Sequence, residues 1–177
     1  MKLNEETIHK ETLYEGKIVD LHVHDVKLPN GSQSKREIIT HPGAVAIIAI
    51  TLENKLVMVK QFRKALEKEI IEIPAGKLEK GEKPAETAKR ELAEETGYIA
   101  DELDKVLSFY TSPGFSDEIV YLYETAVSEK GGTATDEDEF VEVMEVTVAE
   151  AEKMIDNEEI HDAKTIFAVQ YIKSRLP

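Results

Sequence analysis

Three carboxylates crowd one side of a single predicted helix. At 100° per residue Glu91 and Glu95 stand at i and i+4, with Glu94 three residues beyond Glu91. Like charges at this spacing destabilise an isolated helix by roughly 0.2–0.5 kcal/mol per pair. They also lie near the helix C-terminus, the unfavourable end for negative charge. Arg90 can relieve part of the repulsion by pairing with Glu94 at i+4 and with Glu86 at i−4. A divalent cation would relieve the rest, because hard ions such as Mg²⁺ favour carboxylate oxygens, often alongside substrate phosphates. A second acidic group, Asp136-Glu137-Asp138-Glu139, ends a loop that begins at Gly131. Four consecutive acids repel one another without a counter-ion. For both groups the competing reading is a solvated acidic surface.

These groups need elements to hold them. Pro84 to Thr96 is the clearest helix: Pro84 suits its first turn, Gly97 suits the position just past its end, and Ala85, Ala88 and Leu92 make one apolar face. A second helix follows Thr147, where Thr147 and Glu150 fit a capping box. A third runs from about Asp162 to Arg175, with Ile166, Val169, Ile172 and Leu176 along its apolar side. Ahead of the carboxylate helix, Ala44 to Leu52 reads as a buried strand turning into Leu56 to Phe62, and Glu69 to Pro74 as a short strand. Leu103 to Tyr110, Ile119 to Val127 and Phe140 to Val148 follow as strands. Lys17 to Leu28, the Pro29-Asn30-Gly31 turn and Ser34 to Thr40 predict a hairpin or small antiparallel sheet, too marginal to stand alone. His41-Pro42-Gly43 breaks the chain after it. The division expected is therefore a small β subdomain at 1–41 and a main domain at 42–177, a mixed α/β (α+β) sandwich and not a regular βαβ alternation.

Composition sets limits on partners. The 177 residues carry 36 acidic and 22 basic side chains, for a formal net charge of −14. Polyanionic nucleic acid and anionic membrane surfaces would be repelled, so neither is expected as a partner. A phosphate ester remains an acceptable ligand if a cation bridges it. Cysteine is absent, which excludes thiolate metal sites, disulfides and Cys nucleophiles. The start has no apolar signal-peptide region and the longest apolar run, Ala44 to Ile50, is too short to cross a bilayer, so a cytoplasmic location is the expectation.

The spacing around the helix is specific. Gly76 is followed after five residues by Glu82, and after seven more by Arg90-Glu91-Leu92-Ala93-Glu94-Glu95-Thr96-Gly97. This resembles the Nudix box, with Tyr98 in place of its final aliphatic residue. A chance match in a chain of this length is on the order of one in a million at average composition. The resemblance implies the Nudix fold, a mixed β-sheet sandwiched between helices, here with a small N-terminal antiparallel β-sheet. It implies that Glu91 and Glu95 ligate Mg²⁺, with Mn²⁺ as an alternative, that Ala75 offers its backbone carbonyl, and that Glu94 joins the same catalytic cluster. Gly76, Glu82, Arg90 and Gly97 are then structural, Glu82 and Arg90 bracing the motif by salt bridging.

Further segments resemble bacterial ADP-ribose pyrophosphatases within that family. Pro113 lies sixteen residues beyond Gly97, within Ser112 to Glu118. Gln61-Phe62-Arg63 ends a strand, Ile73-Pro74-Ala75-Gly76 leads into the box, and Arg36-Glu37-Ile38 lies in the N-terminal hairpin. The implied activity is hydrolysis of ADP-ribose to AMP and ribose 5-phosphate. Arg63 and Arg36 would contact phosphates, with Pro113 and Glu118 also at the substrate. From the acidic loop the resemblance implies Glu139 as a metal ligand and Glu137 as general base, with Asp136 and Asp138 as alternatives if the register differs. It also implies a homodimer with exchanged N-terminal sheets. Other nucleoside diphosphate derivatives, or a non-catalytic ADP-ribose sensor, are the competing functions.

Two features stand outside the motif. His22 and His24 share one face of a strand and could bind Zn²⁺ or Ni²⁺, but no third ligand is evident, so strand residues near a dimer interface are the reading adopted. Tyr110, Tyr121 and Tyr123 are expected to pack the sheet, unless one stacks on adenine.

Overall fold

A computed structural model describes residues 2–128, 131–132 and 140–175. The chain divides into two compact units, Met1–Ala44 with Ser108–Val120, and Val45–Leu107 with Tyr121–Pro177.

The smaller unit holds a three-stranded antiparallel sheet of β1 (Glu6–Glu15), β2 (Asp20–Lys27) and β3 (Gln33–Thr40), in that order. The hairpin from β2 to β3 runs as its sequence predicts, with Gly31 at φ 88 in the turn. β1 was not foreseen as a separate strand. All ten of its residues are exposed, so it has no buried face to leave an alternating pattern. His22 and His24 do share a face, their ring centroids 6.2 Å apart. His22 is buried between the hydroxyls of Thr12, 3.0 Å from Nδ1, and Thr40, 3.4 Å from Nε2. The segment after Tyr110 joins this sheet: the Ile39 N–H donates to the Phe115 carbonyl (2.7 Å) and the Asp117 N–H to the Ile39 carbonyl (3.2 Å).

Most of a mixed seven-stranded sheet lies in the larger unit. Its main path runs β10 (Val141–Val146), β5 (Leu56–Arg63), β4 (Ala44–Thr51), β9 (Ile119–Val127), β8 (Asp104–Tyr110). β6 (Lys68–Glu72) pairs antiparallel with β5, and β7 (Ala75–Lys77) pairs with β4. Val45 to Ala49 are all inaccessible to solvent. Consecutive strand residues point to opposite faces, so both faces of β4 are covered. On one side Val45, Ile47, Ala49 and Val57 pack with Ala88 and Leu92 of helix α1 (Pro84–Thr96). α2 (Val148–Asp156) and α3 (Ala163–Lys173) pack on each other and bury Ala151, Ala168 and Val169. The face expected of α3 is met in part: Val169 is buried as expected, Ile166 and Ile172 are half-buried, Leu176 lies outside the described residues, and Thr165 and Ala168 are buried beside Val169. The polar Thr165 is drawn inward because its Oγ1 accepts the Ile73 N–H at 2.8 Å.

Capping at α2 is as predicted. Thr147 Oγ1 accepts the Glu150 N–H (3.2 Å) and Glu150 accepts the Thr147 N–H (2.8 Å). Thr147→Ala is expected to lower unfolding stability by about 1 kcal/mol, read by denaturant titration.

Tyr98, which replaces an aliphatic residue of the motif, is 7% exposed and its hydroxyl donates to Glu145 Oε1 at 2.6 Å. That bond, with burial, pushes the phenol up to about 12. The packing change is thus accompanied by a polar tie to β10. Tyr98→Phe is expected to cost roughly 1–2 kcal/mol in thermal or chemical unfolding, because it leaves a partly buried carboxylate short of a donor.

Candidate active site

Helix α1 begins with Pro84 in its first turn and ends at Gly97, whose φ of 76 places it in the left-handed region with its N–H on the Ala93 carbonyl (2.9 Å). Burying Ala88 and Leu92 fixes the rotation of this helix, and that rotation sends Glu91 and Glu95 toward β7. Glu95 is 4% exposed, and its Oε2 accepts the Ala75 N–H at 3.0 Å. Gly76 has no side chain for a steric reason. A Cβ there would lie 1.9 Å from Glu91 Cδ and within 2.3 Å of both carboxylate oxygens. The backbone of β7 and the Glu91 carboxylate therefore occupy adjoining space that only glycine allows.

Arg90 serves three acids. Its Nε and Nη2 donate to Glu82 (3.2 and 3.1 Å), and its Nη1 donates to Glu91 (3.0 Å) and Glu94 (2.8 Å). Hydrogen bonding to Glu82 is the leading cause of a strongly raised guanidinium pKa, and the same bonds hold the Glu82 carboxyl below its ordinary value. Glu82 and Arg90 are joined by this fork, the salt bridge the motif leads one to expect. The expected Arg90–Glu86 pair is not formed; Glu86 lies 3.9 Å from Lys83 instead. Glu82, just before the helix, offers both oxygens to the Nε–Nη2 edge of the guanidinium, a two-pronged geometry that favours it over Glu86.

Among the described residues no group of three or more His, Asp and Glu side chains is arranged to hold a metal ion. The donors nevertheless suit a hard divalent cation. Glu91 and Glu95 supply carboxylate oxygens beside the backbone of Ala75 and Gly76, the Glu91 carboxylate approaching as closely as it does because Gly76 has no Cβ. Glu137 and Glu139, with Asp136 and Asp138, lie outside the described residues.

Arg63 stands at the end of β5, its Nε donating to Glu72 Oε1 at 2.6 Å. Burial works against its charge, but Glu72, with Glu95 and Asp162 adding to it, more than offsets this and raises its pKa. Glu72 is only 1% exposed, and its second oxygen is bound by Lys164, which also reaches Asp162 at 3.0 Å. Sequence reasoning missed Glu72 and Lys164. The signal was an acid interrupting Ile70-Ile71-Glu72-Ile73, a charge in a run that otherwise reads as core.

The remaining candidates fall in the smaller unit. Arg36 makes a two-pronged ion pair with Glu5 (2.9 and 2.7 Å). Both line a cavity of about 490 Å³ with Tyr110, Pro113, Phe115 and Ser116. Glu118 accepts from the Thr111 hydroxyl (2.5 Å) and lies 3.7 Å from His41 Nδ1. Tyr110 is 61% exposed and does not pack the sheet, unlike Tyr123 at 7%.

Comparison with known proteins adds the lineage. A nucleoside diphosphate sugar hydrolase N-terminal domain model matches residues 5–39. The chain is 59% identical over 174 residues to an ADP-ribose pyrophosphatase of Bacillus subtilis, covering 97% of this chain and 94% of that one. It is 57% identical to a methanol dehydrogenase activator of Bacillus methanolicus, over 96% and 92% of the two chains. A GDP-mannose pyrophosphatase of Cronobacter sakazakii is 32% identical over 99% and 98%. The crystal structure of an ADP compounds hydrolase superposes with a TM-score of 0.87 at 19% identity, over 99% of this chain and 96% of that one, which shows a shared fold. A NUDIX domain model matches residues 40–168, the span that holds the Glu91 carboxylate against Gly76, and the chain belongs to the Nudix family.

Proposed function

We propose that this protein is a divalent-metal-dependent pyrophosphohydrolase that cleaves ADP-ribose to AMP and ribose 5-phosphate. The observation that carries this reading is the seating of the Glu91 carboxylate against Gly76, with Glu95 held on the Ala75 N–H. The high identity to a protein named ADP-ribose pyrophosphatase supports the choice of substrate. Glu91, Glu95 and the Ala75 carbonyl would hold Mg²⁺, or Mn²⁺, with Glu139 from the acidic loop. Such an ion, when bound, neutralises diphosphate charge and makes water a better nucleophile.

The chain's own residues do the rest. Arg63 grips diphosphate oxygens through the guanidinium nitrogens that Glu72 does not engage. Arg90 keeps Glu91 and Glu94 in place as charge in the site changes. Glu137 takes a proton from the attacking water as the phosphorus–oxygen bond of the bridging oxygen breaks. In the smaller unit, Arg36, Tyr110 and Ser116 offer a cation, a ring face and a hydroxyl, groups that suit part of a nucleotide. The protein acts as a homodimer with exchanged N-terminal sheets. The exposed Ile8, Leu13 and Tyr14 of β1 are apolar surface that such an exchange would cover.

A substrate panel tests the reading. Initial rates on ADP-ribose, GDP-mannose and a dinucleotide should give the highest kcat/KM for ADP-ribose, with AMP and ribose 5-phosphate as products. A preference for GDP-mannose would instead align the chain with its pyrophosphatase relatives of that name.

A further inference from the structure

We propose that Glu72 and Lys164 are positioning residues that set the reach of Arg63 toward the substrate diphosphate, a proposal that rests on the reading of Arg63 as the diphosphate grip. Glu72 is a carboxylate in the protein interior, 1% exposed, and each of its oxygens is taken by a different cation. Such an acid is costly to bury unless its charge is matched, so its place needs a reason beyond stability. The two cations are unlike. The Lys164 side chain is 15% exposed and also paired with Asp162, which caps α3 by accepting the Thr165 N–H at 2.9 Å. Arg63 is 40% exposed and is the member of the set that faces outward.

The division of oxygens is the point. A lone carboxylate beside an arginine tends toward a two-pronged grip that occupies two guanidinium nitrogens. Here Lys164 holds the second oxygen, and Glu72 engages Arg63 through Nε alone. Among the described residues, the terminal nitrogens are thereby left to bind a phosphate in the same planar, paired manner. The anchoring is firm, because Thr165, next to Lys164, receives the N–H of Ile73, next to Glu72. Two residues on, Ala75 donates to Glu95. One short stretch, residues 72–75, therefore ties the arginine support, the start of α3 and the box carboxylate together.

A double-mutant cycle on the full-length protein tests this. Glu72→Gln is expected to raise KM for ADP-ribose by roughly 10–100-fold, the scale of outer supports in ordered sites, with a much smaller change in kcat. In an Arg63→Ala background, itself raised in KM, Glu72→Gln should raise KM no further. Lys164→Met, which opens the second oxygen to Arg63, should also raise KM, and Lys164→Arg should restore it. Melting curves identify any variant that fails to fold, and the Lys164 pair carries the test if Glu72→Gln does so. Equal losses from Glu72→Gln with and without Arg63, or an unchanged KM in folded Glu72→Gln and Lys164→Met, would overturn the proposal. An unchanged KM in Arg63→Ala would overturn the diphosphate grip itself, and the positioning role with it.

Discussion

Glu95→Gln is expected to lower kcat by about 10³-fold at saturating Mg²⁺, the scale of a several-kcal/mol loss of charge stabilisation at the reacting phosphorus. The fold should survive. Glu95 is almost fully buried, and its Oε2 accepts the Ala75 N–H. A glutamine carbonyl at the same position can accept that bond. What glutamine cannot supply is the negative charge that a hard cation selects. The variant thus separates the two functions of one side chain, and the separation is measurable: a melting temperature within a few degrees of wild type beside a collapsed kcat. Glu91→Gln should behave similarly, but it also loses charge beside Arg90, which keeps Glu82 and Glu94 as partners. Near-normal turnover in both variants would remove the metal assignment.

Gly76→Ala is expected to be nearly as damaging, for a purely steric reason. The new Cβ would lie 1.9 Å from Glu91 Cδ. The backbone at Gly76 is outside the left-handed region, so alanine brings no φ strain there, and the obstacle is the end of a glutamate side chain that can swing away. Stability should fall only modestly. Activity should fall by about 10²-fold or more, since displacing a reacting group by 1 Å costs on that order. Gly97→Ala is the contrasting case. There φ is 76 and a Cβ would meet the Gly131 carbonyl at 2.9 Å, so the cost falls on the backbone and on stability. Unfolding and steady-state kinetics on the two variants should show opposite balances of stability and activity loss.

The elements that position these residues were legible where the local chemistry was self-sufficient. Pro84 and Gly97 mark α1, and Thr147 with Glu150 caps α2, because a helix end is satisfied by residues a few positions away. β4 was legible because burial on both faces leaves an unbroken apolar run. β1 was not, since its strand character comes from pairing with β2 and none of its ten residues is buried. The inward face of α3 was read only in part, Val169 but not Thr165, for a related reason. Thr165 is chosen for the core by the Ile73 N–H, 92 positions away, and no helical periodicity reports that.

The site shows the same division. Gly76, Glu82, Arg90, Glu91 and Glu95 come from one short stretch whose spacing is set by a helix and its flanking turns, so the sequence displays them together. Arg63, Glu72 and Lys164 come from three elements and meet only through folding. Arg36 is engaged by Glu5, 31 positions earlier, a pairing the charge pattern does not specify. Contacts of that kind depend on strand register and on how helices lie against a sheet, and they are the ones sequence reading did not supply.

Glu91 and Glu95 are proposed to form a cation site on which a diphosphate is hydrolysed. Its most direct measurement is the rate of AMP and ribose 5-phosphate release from ADP-ribose as Mg²⁺ is titrated into metal-stripped protein, with Glu95→Gln run in parallel. Negligible release is expected without the ion, a saturable rise with it in the wild type, and almost none in the variant. Equal rates in chelator and in Mg²⁺, or a variant that follows the wild-type curve, would contradict it.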